Sequence, residues 1–365
     1  MAHLDRIRVA GFKSIRDQEL ELKRLNVLIG ANGAGKSNLI AVFQLLHQIA
    51  NERLQLFVGT SGGADRMLHF GRKVTEEMRL QFTFGSNAYH CVLVPTTEDA
   101  LVFGEETEFF YGRGYSDPYD SFLGSGHKET LLYEEPRRTK RKSIGYYVLA
   151  AFKSWRINHF HDTGDTAKIK LTGDLDDNRF LRHDAGNLAA FLYLLQETKR
   201  DCYHNIVDVV KMVAPFFGGF NLQPDRLNPK KIKLEWHESG SDSYFDAQAL
   251  SDGTLRFICM VTLLLQPELP STILLDEPEL GLHPYAISVL ADLLRSASER
   301  TQIIVSTQSV TLVNQLSPED VIVVDRVKGE SIFRRPSSEE ISSWLDDYAL
   351  GDLWEKNVLG GRPGH

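Results

Sequence analysis

Residues 30–37, Gly30-Ala31-Asn32-Gly33-Ala34-Gly35-Lys36-Ser37, constrain this chain more than any other stretch. A glycine, four residues and then Gly-Lys-Ser make the phosphate-binding loop pattern, which carries weight only between a strand and a helix. Both neighbours are present. Leu25-Asn26-Val27-Leu28-Ile29 is a buried-strand run, and Asn38 to Ile49 has the apolar spacing of an amphipathic helix. Such a unit turns consecutive backbone N–H groups toward one point, at the positive end of the helix. The glycines let the backbone close around phosphate without a Cβ in the way. Gly30, Ala31, Asn32, Gly33, Ala34, Gly35 and Asn38 then form the nucleotide cradle. Lys36 reaches the β- and γ-phosphates, and Ser37 offers its hydroxyl to Mg²⁺.

The partner half of such a site lies far downstream. Thr272-Ile273-Leu274-Leu275 reads as a buried strand that ends in Asp276-Glu277. Alone, an Asp-Glu pair is an exposed strand end. Behind a phosphate loop it is the second half of a nucleoside triphosphatase site, with Asp276 holding Mg²⁺ beside Ser37 and Glu277 polarising the attacking water as general base.

Around these motifs, residues 1–95 and 245–335 read as one nucleotide-binding lobe of the α/β class. Strands and helices alternate from residue 245 onward, which builds a mostly parallel sheet covered on both faces. Met78–Phe84 and Ala88–Val94 alternate as two strands around Gly85-Ser86-Asn87, predicting an antiparallel layer beside the nucleotide. Residues 96–244 form an inserted α/β lid or partner-binding lobe. Within it, Glu105 to Gly126 looks loop-like, and 187–197 and 202–213 read as helices. Residues 336–365 are left as a terminal helix, near 338–348, and a loose tail around Gly360-Gly361. No internal repeat and no sustained heptads are visible.

Composition narrows the setting. Hydrophobic content of 42% and charged content of 25% suit a soluble globular chain. Met1 to Arg16 lacks an apolar core of signal-peptide length, and runs such as Met260 to Leu265 are too short to span a bilayer, so a cytoplasmic protein without a membrane partner is expected. Cys91, Cys202 and Cys259 are scattered, against a disulfide framework or zinc site. With a formal net charge of −8, contact with nucleic acid requires a local basic patch. Arg137, Arg138, Lys140, Arg141 and Lys142 supply five cations in six positions, either as a solvated loop or as a phosphate-contacting surface for DNA or another nucleic acid.

Taken together, the motifs resemble the ATP-binding-cassette type of ATPase head found in the RecF, SMC and OLD families. The wider string also resembles small bacterial AAA-family predicted ATPases, through Trp155 to Thr163, Asn187 to Ala190 and Leu353 to Pro363. The resemblance implies ATP and Mg²⁺ as cofactors, and it casts Leu250-Ser251-Asp252-Gly253 as the signature motif facing the ATP of a second subunit. Ser251 then offers a hydroxyl, Asp252 and Gly253 follow it, and the helix beyond points its N-terminus at a γ-phosphate. Ser251 or Asp252 is equally a plain helix N-cap, and both readings hold at once. Gln308, in Ser306-Thr307-Gln308-Ser309, stands where the family has its switch histidine; it can donate to a γ-phosphate but cannot titrate, which predicts slow ATP hydrolysis. By analogy Phe12, Lys13 and Ser14 border the adenine, or else form an ordinary strand edge. His159 and His161 read as a metal pair, a structural pair or a nucleotide contact, and the lid-lobe glutamine that senses Mg²⁺ in transporters has no clear counterpart.

The missing heptads exclude an SMC-type rod. Relatives of this kind are linked to DNA repair or phage defence, some beside a Toprim-like nuclease, so the implied function is an ATP-hydrolysing switch that closes head-to-tail as a homodimer and acts on a nucleic acid or nuclease-type effector. Two alternatives stay open. One is the ATPase subunit of a membrane transporter, against which the large insert and the Asp276-to-His283 string argue. The other is a scaffold that binds ATP without turnover.

Overall fold

The computed structural model describes residues 3–112, 118–134, 143–337, 344 and 347–361. The chain opens with an antiparallel hairpin, β1 (Arg6–Phe12) and β2 (Ile15–Glu21), whose register brings Phe12 opposite Ile15 and leaves Lys13-Ser14 as the turn. β3 (Leu25–Ile29) follows, with all five residues buried. Beyond the helix Lys36–Ile49 come two short helices, Leu54–Thr60 and Ala64–Met67. Four more antiparallel strands then run β4 (Met78–Phe84), β5 (Asn87–Pro95), β6 (Leu101–Phe110) and β7 (Tyr119–Gly124). They join the first hairpin in one six-stranded sheet of order β2-β1-β4-β5-β6-β7.

Loop-like structure was expected over Glu105 to Gly126, and the structure corrects this to β6 and β7. The reason is polar burial. Glu106 is fully buried within β6, and its carboxylate accepts from Tyr89 Oη at 2.7 Å, Thr130 Oγ1 at 2.5 Å and Leu131 N at 2.8 Å, with His127 Nε2 at 2.9 Å. A satisfied buried carboxylate breaks the apolar alternation that marks a strand. β7 is an edge strand with exposed Tyr119 and Phe122, so it too lacks that alternation.

The rest of the chain builds a second layer. The helix Ile144–Ser154 leads into β8 (Arg156–Asn158). Further on, β9 (Gly173–Asp174) pairs with β11 (Lys231–Ile232), and β10 (Phe217–Asn221) forms a small sheet with β12 (Glu235–Glu238) and β13 (Tyr244–Asp246). Helices Leu188–Thr198 and Arg200–Val213 lie between them in sequence. The helix Asp252–Leu265 precedes β14 (Thr272–Asp276), and the helix Pro284–Ser298 precedes β15 (Gln302–Thr307). β16 (Val321–Val327) and β17 (Glu330–Arg334) form a last hairpin. These strands assemble around β3 in the order β17-β16-β3-β15-β14-β8, all parallel except β17.

A parallel sheet is stable only when both faces are covered, and alternation along each strand divides the apolar side chains between two cores. Leu25, Val27 and Ile29 join Ile273, Leu275, Ile303 and Val305 beneath the helices of residues 188–298. Leu28, Leu274, Ile304, Ile322 and Val324 face the other way, onto the helix Lys36–Ile49 and the antiparallel sheet. Residues 96–244 divide between these cores, with Leu101 to Trp155 in the second and Phe160 to Trp236 in the first.

Of the tail expected to be loose, Gly361 is docked, and 362–364 lie outside the described residues. A helix, Leu350–Glu355, buries Leu350, Leu353 and Trp354 in the first core, and Gly361 is buried as well. Most of the stretch expected as a terminal helix, 338–348, lies outside the described residues, as do Arg362 and Pro363. No helix among the described residues is long and apolar enough to cross a membrane.

Phe152 is fully buried, with its ring edge-on to Phe82, Phe84 and Tyr89 of the antiparallel sheet. Phe152→Ala is expected to destabilise the fold by about 3–5 kcal/mol, measured by urea denaturation.

Candidate functional site

β3 brings the chain to its loop at the carboxyl edge of the parallel sheet, between β15 and β16. Gly33 and Gly35 take left-handed backbone, at φ +77° and +115°. A Cβ on Gly35 would stand 2.0 Å from Ser331 Oγ, so the position excludes a side chain. Ser331 crowds it for a reason. Its hydroxyl donates to Ala34 O at 2.5 Å, and Ser14 Oγ lies 2.6 Å away. Asn38 Nδ2 donates to Ser14 Oγ at 2.6 Å. A hydroxyl has one proton to give, so the order runs Asn38 to Ser14 to Ser331 to the loop carbonyl. Arg326 adds a donor to Gly33 O at 2.8 Å. The loop is therefore braced by the β1–β2 turn, by its own helix and by the β16–β17 hairpin.

Lys36 begins the helix and is buried, 5% exposed. Its Nζ donates to Gly30 O at 2.6 Å and Ala31 O at 3.1 Å. Burial pushes the ammonium pKa down, and the carboxylates of Glu277, Asp276 and Glu279 oppose that shift. Ser37, Asn32 and Gly33 are exposed beside it. Lys13 sits at the hairpin turn with φ +47°, its ammonium also pushed down by burial, and its carbonyl accepts from His69 Nδ1 at 2.6 Å.

The strand ends assemble the acidic side. β14 stops at Asp276, opposite Ser306 of β15. Glu277 has left-handed backbone, φ +44°, an uncommon conformation for a residue with a side chain. Its N–H donates to Ser306 O at 2.7 Å, and Gln308 Nε2 donates to its carboxylate. Glu277 and Gln308 are thus brought together directly.

Glu279 lies within the Asp276-to-His283 string, and its sequence position alone assigns it no role. It is 9% exposed and accepts from Thr307 Oγ1 and, at 3.4 Å, from Gln308 N; its other oxygen has no partner. Burial pushes its carboxyl pKa up, against the pull of the Thr307 hydroxyl. Ser306 Oγ and Asn158 Oδ1, on the strands flanking β14, are likewise buried without partners.

His159 follows β8 directly, next in register to Asp276, and its Nε2 lies 3.4 Å from Gln44 Nε2 of the loop's helix. Burial pushes the His159 pKa down, opposed by Asp276. The His159 and His161 rings stand 6.5 Å apart, and no group of three His, Cys, Asp or Glu among the described residues is placed to hold a metal.

Ser251 caps the helix Asp252–Leu265, its Oγ accepting from Thr254 N at 3.2 Å, and Ser251 and Asp252 are exposed. A Cβ on Gly253 would stand 2.4 Å from Gly281 O, so the helix start lies against the loop after β14. Arg256 ties these pieces, donating to Leu280 O at 3.1 Å and His161 O at 2.8 Å. Among the described residues, no hydrogen bond or ion pair joins residues 251–253 to residues 30–38. The basic residues Arg137, Arg138, Lys140, Arg141 and Lys142 lie outside the described residues.

Over residues 25–86 and 110–314 the chain matches the family described as "AAA domain, putative AbiEii toxin, Type IV TA system". It belongs to that family. Its fold is similar to an Smc head bound to the C-winged helix domain of ScpA, with a TM-score of 0.57 and 16% identity over 93% of this chain and 99% of that one. It is also similar to an Smc head with an extended coiled coil bound to the C-terminal domain of ScpA, from Pyrococcus furiosus, with a TM-score of 0.55 and 14% identity over 95% and 99%. At such identities the likeness carries the fold, an ABC-type, SMC-like AAA ATPase head. No curated protein matches the sequence.

Ser331, Arg326 and Gly361 are the loop contacts that sequence reasoning missed; each lies roughly 300 residues from its partner, and no local pattern marks it.

Thr307→Val removes a donor from the buried Glu279 carboxylate and is expected to cost about 1–3 kcal/mol of stability, read in urea. The folded state holds the Glu279 proton better than the unfolded chain, so this group's contribution falls as pH rises above the usual carboxylate range. The Thr307→Val loss is therefore expected to be larger at pH 8 than at pH 5.

Proposed function

We propose that the chain is an ATP-hydrolysing switch whose two copies close head-to-tail on nucleotide. The observation that carries the reading is the state of Lys36, a buried cation parked on its own loop carbonyls and facing three carboxylates. A triphosphate offers that ammonium stronger acceptors than two carbonyls do.

The residues fit the expected cofactors. Ser37 and Asp276 offer the hard oxygen donors that Mg²⁺ favours. The partnerless buried oxygens of Ser306 and Asn158 beside Asp276 leave polar atoms for the ordered water such an ion keeps. When bound, the ion spreads the charge of the β- and γ-phosphates. Gly30, Ala31, Asn32, Gly33, Ala34, Gly35 and Asn38 shape the cradle, and Lys13 and Ser14 border its outer side. Glu277 accepts the proton of the attacking water, oriented by Gln308. Because the Gln308 amide already donates to Glu277 and cannot titrate, turnover is expected to be slow.

Ser251, Asp252 and Gly253 have no bond to their own loop, which supports their acting on the nucleotide of a second copy. The family resemblance supports a nucleic acid or nuclease-type effector as target, in DNA repair or phage defence, and the run Arg137 to Lys142 supplies phosphate-binding charge for it. The Smc neighbours, solved with ScpA, support a protein partner as well. The Gln308–Glu277 bond also favours a second reading, a scaffold that holds ATP without turnover.

Lys36→Ala is expected to abolish binding of a fluorescent ATP analogue; unchanged affinity would remove Lys36 from the site. Glu277→Gln is expected to lower phosphate release by about 10²–10³ and to accumulate an ATP-dependent dimer in light scattering. A Glu277→Gln protein that stays monomeric with ATP would defeat the head-to-tail reading. Equal phosphate release from the wild type and Glu277→Gln would favour the scaffold.

A further inference from the structure

The phosphate loop is held from a direction that its motif does not announce. Ala31 N donates to Gly361 O at 2.7 Å. Gly361 is itself fixed, its N–H donating to Asp325 Oδ1 at 2.6 Å. A side chain there would be strained and crowded: φ is +83°, and a Cβ would stand 3.0 Å from Trp354 Nε1, 3.1 Å from Val323 Cγ1 and 3.4 Å from Gly30 Cα. Behind it the segment is anchored. Leu353 and Leu359 are buried in the core, Arg334 Nη2 donates to Leu359 O at 2.9 Å, and Gly351 N donates to Asn314 Oδ1 at 2.6 Å.

The consequence follows from the peptide unit. Gly30 C=O and Ala31 N–H belong to one planar trans amide, so they point in opposite directions. The N–H is taken by Gly361 on one side. The C=O therefore faces the other side, where Lys36 Nζ meets it at 2.6 Å. On the remaining flank β16 prevents displacement, since a Cβ on Gly30 would stand 2.3 Å from Val324 O. Among the described residues, the Gly361 carbonyl is what holds that N–H on the strap side, and it thereby fixes the plane whose carbonyl Lys36 meets.

We propose that residues 350–361 are a strap that presets the phosphate loop, with Gly361 and Asp325 as positioning residues that act on nucleotide affinity through the Gly30–Ala31 peptide and Lys36. This rests on the nucleotide reading given above.

The test compares the full chain with a chain ending at Leu359, with Asp325→Ala and with Asp325→Asn. Each is titrated with a fluorescent ATP analogue and Mg²⁺, melted thermally without nucleotide, and followed by amide hydrogen exchange at Ala31. The shortened chain keeps its buried Leu353, Trp354 and Leu359, so it is expected to melt as the full chain does. It should bind the analogue about tenfold more weakly, the scale of one hydrogen bond, and exchange Ala31 faster. Asp325→Asn retains an acceptor for Gly361 N–H and should bind as the wild type does, while Asp325→Ala should match the shortened chain. Unchanged affinity in the shortened chain, or unchanged exchange at Ala31, overturns the proposal. If shortening impairs folding, the Asp325 pair decides, and equal affinity of the Ala and Asn variants overturns it. Lys36→Ala separates the two readings: if it binds the analogue normally, the nucleotide assignment is at fault, and the strap is judged by the exchange of Ala31 alone.

Discussion

A lysine ammonium taken out of water sets the terms for the carboxyl edge of the parallel sheet. Lys36 is withdrawn from solvent, and two backbone carbonyls satisfy it while three carboxylates lower the cost of keeping it charged. That balance needs the carbonyls of residues 30 and 31 turned inward and the ends of β14 and β15 held close by. It accounts for the left-handed backbone at Gly33, Gly35 and Glu277, each of which bends the chain where a straight strand or helix would carry the polar groups away.

The rest of the molecule keeps that edge rigid. β3 lies inside a five-strand parallel array, and its alternating side chains serve two different cores. One core carries the helices that lead to Ser251 and Arg256. The other carries the antiparallel sheet, whose first turn contributes Ser14. A change on either face of β3 is therefore transmitted to the loop through packed side chains, which tolerate little displacement. Arg256 joins the helix Asp252–Leu265, the loop after β14 and the segment after β8 by hydrogen bonds.

What the sequence made legible was local chemistry. The loop 30–37, the strand ending in Asp276-Glu277 and the capped helix at Ser251 each announce themselves within a few residues, because glycine geometry, strand burial and capping are short-range effects. The hairpin at Gly85 was legible for the same reason. β6 was not, because Glu106 is made tolerable by Tyr89, His127, Thr130 and the Leu131 N–H, all distant in sequence. Nor was the bracing of the loop by Ser331 and Gly361, which is a product of the completed fold. Glu279 was visible as a letter, but its burial and its bond to Thr307 belong to the packing of β14 against β15.

The bond between Ala31 and Gly361 also bears on how the molecule is made. A ribosome adds the glycine that steadies the loop some 330 residues after the loop itself. The strands on both sides of β3, β15 and β16, are late products too. N-terminal segments otherwise tend to fold first during synthesis. Here the loop can complete these contacts only after β15, β16 and residue 361 have been made.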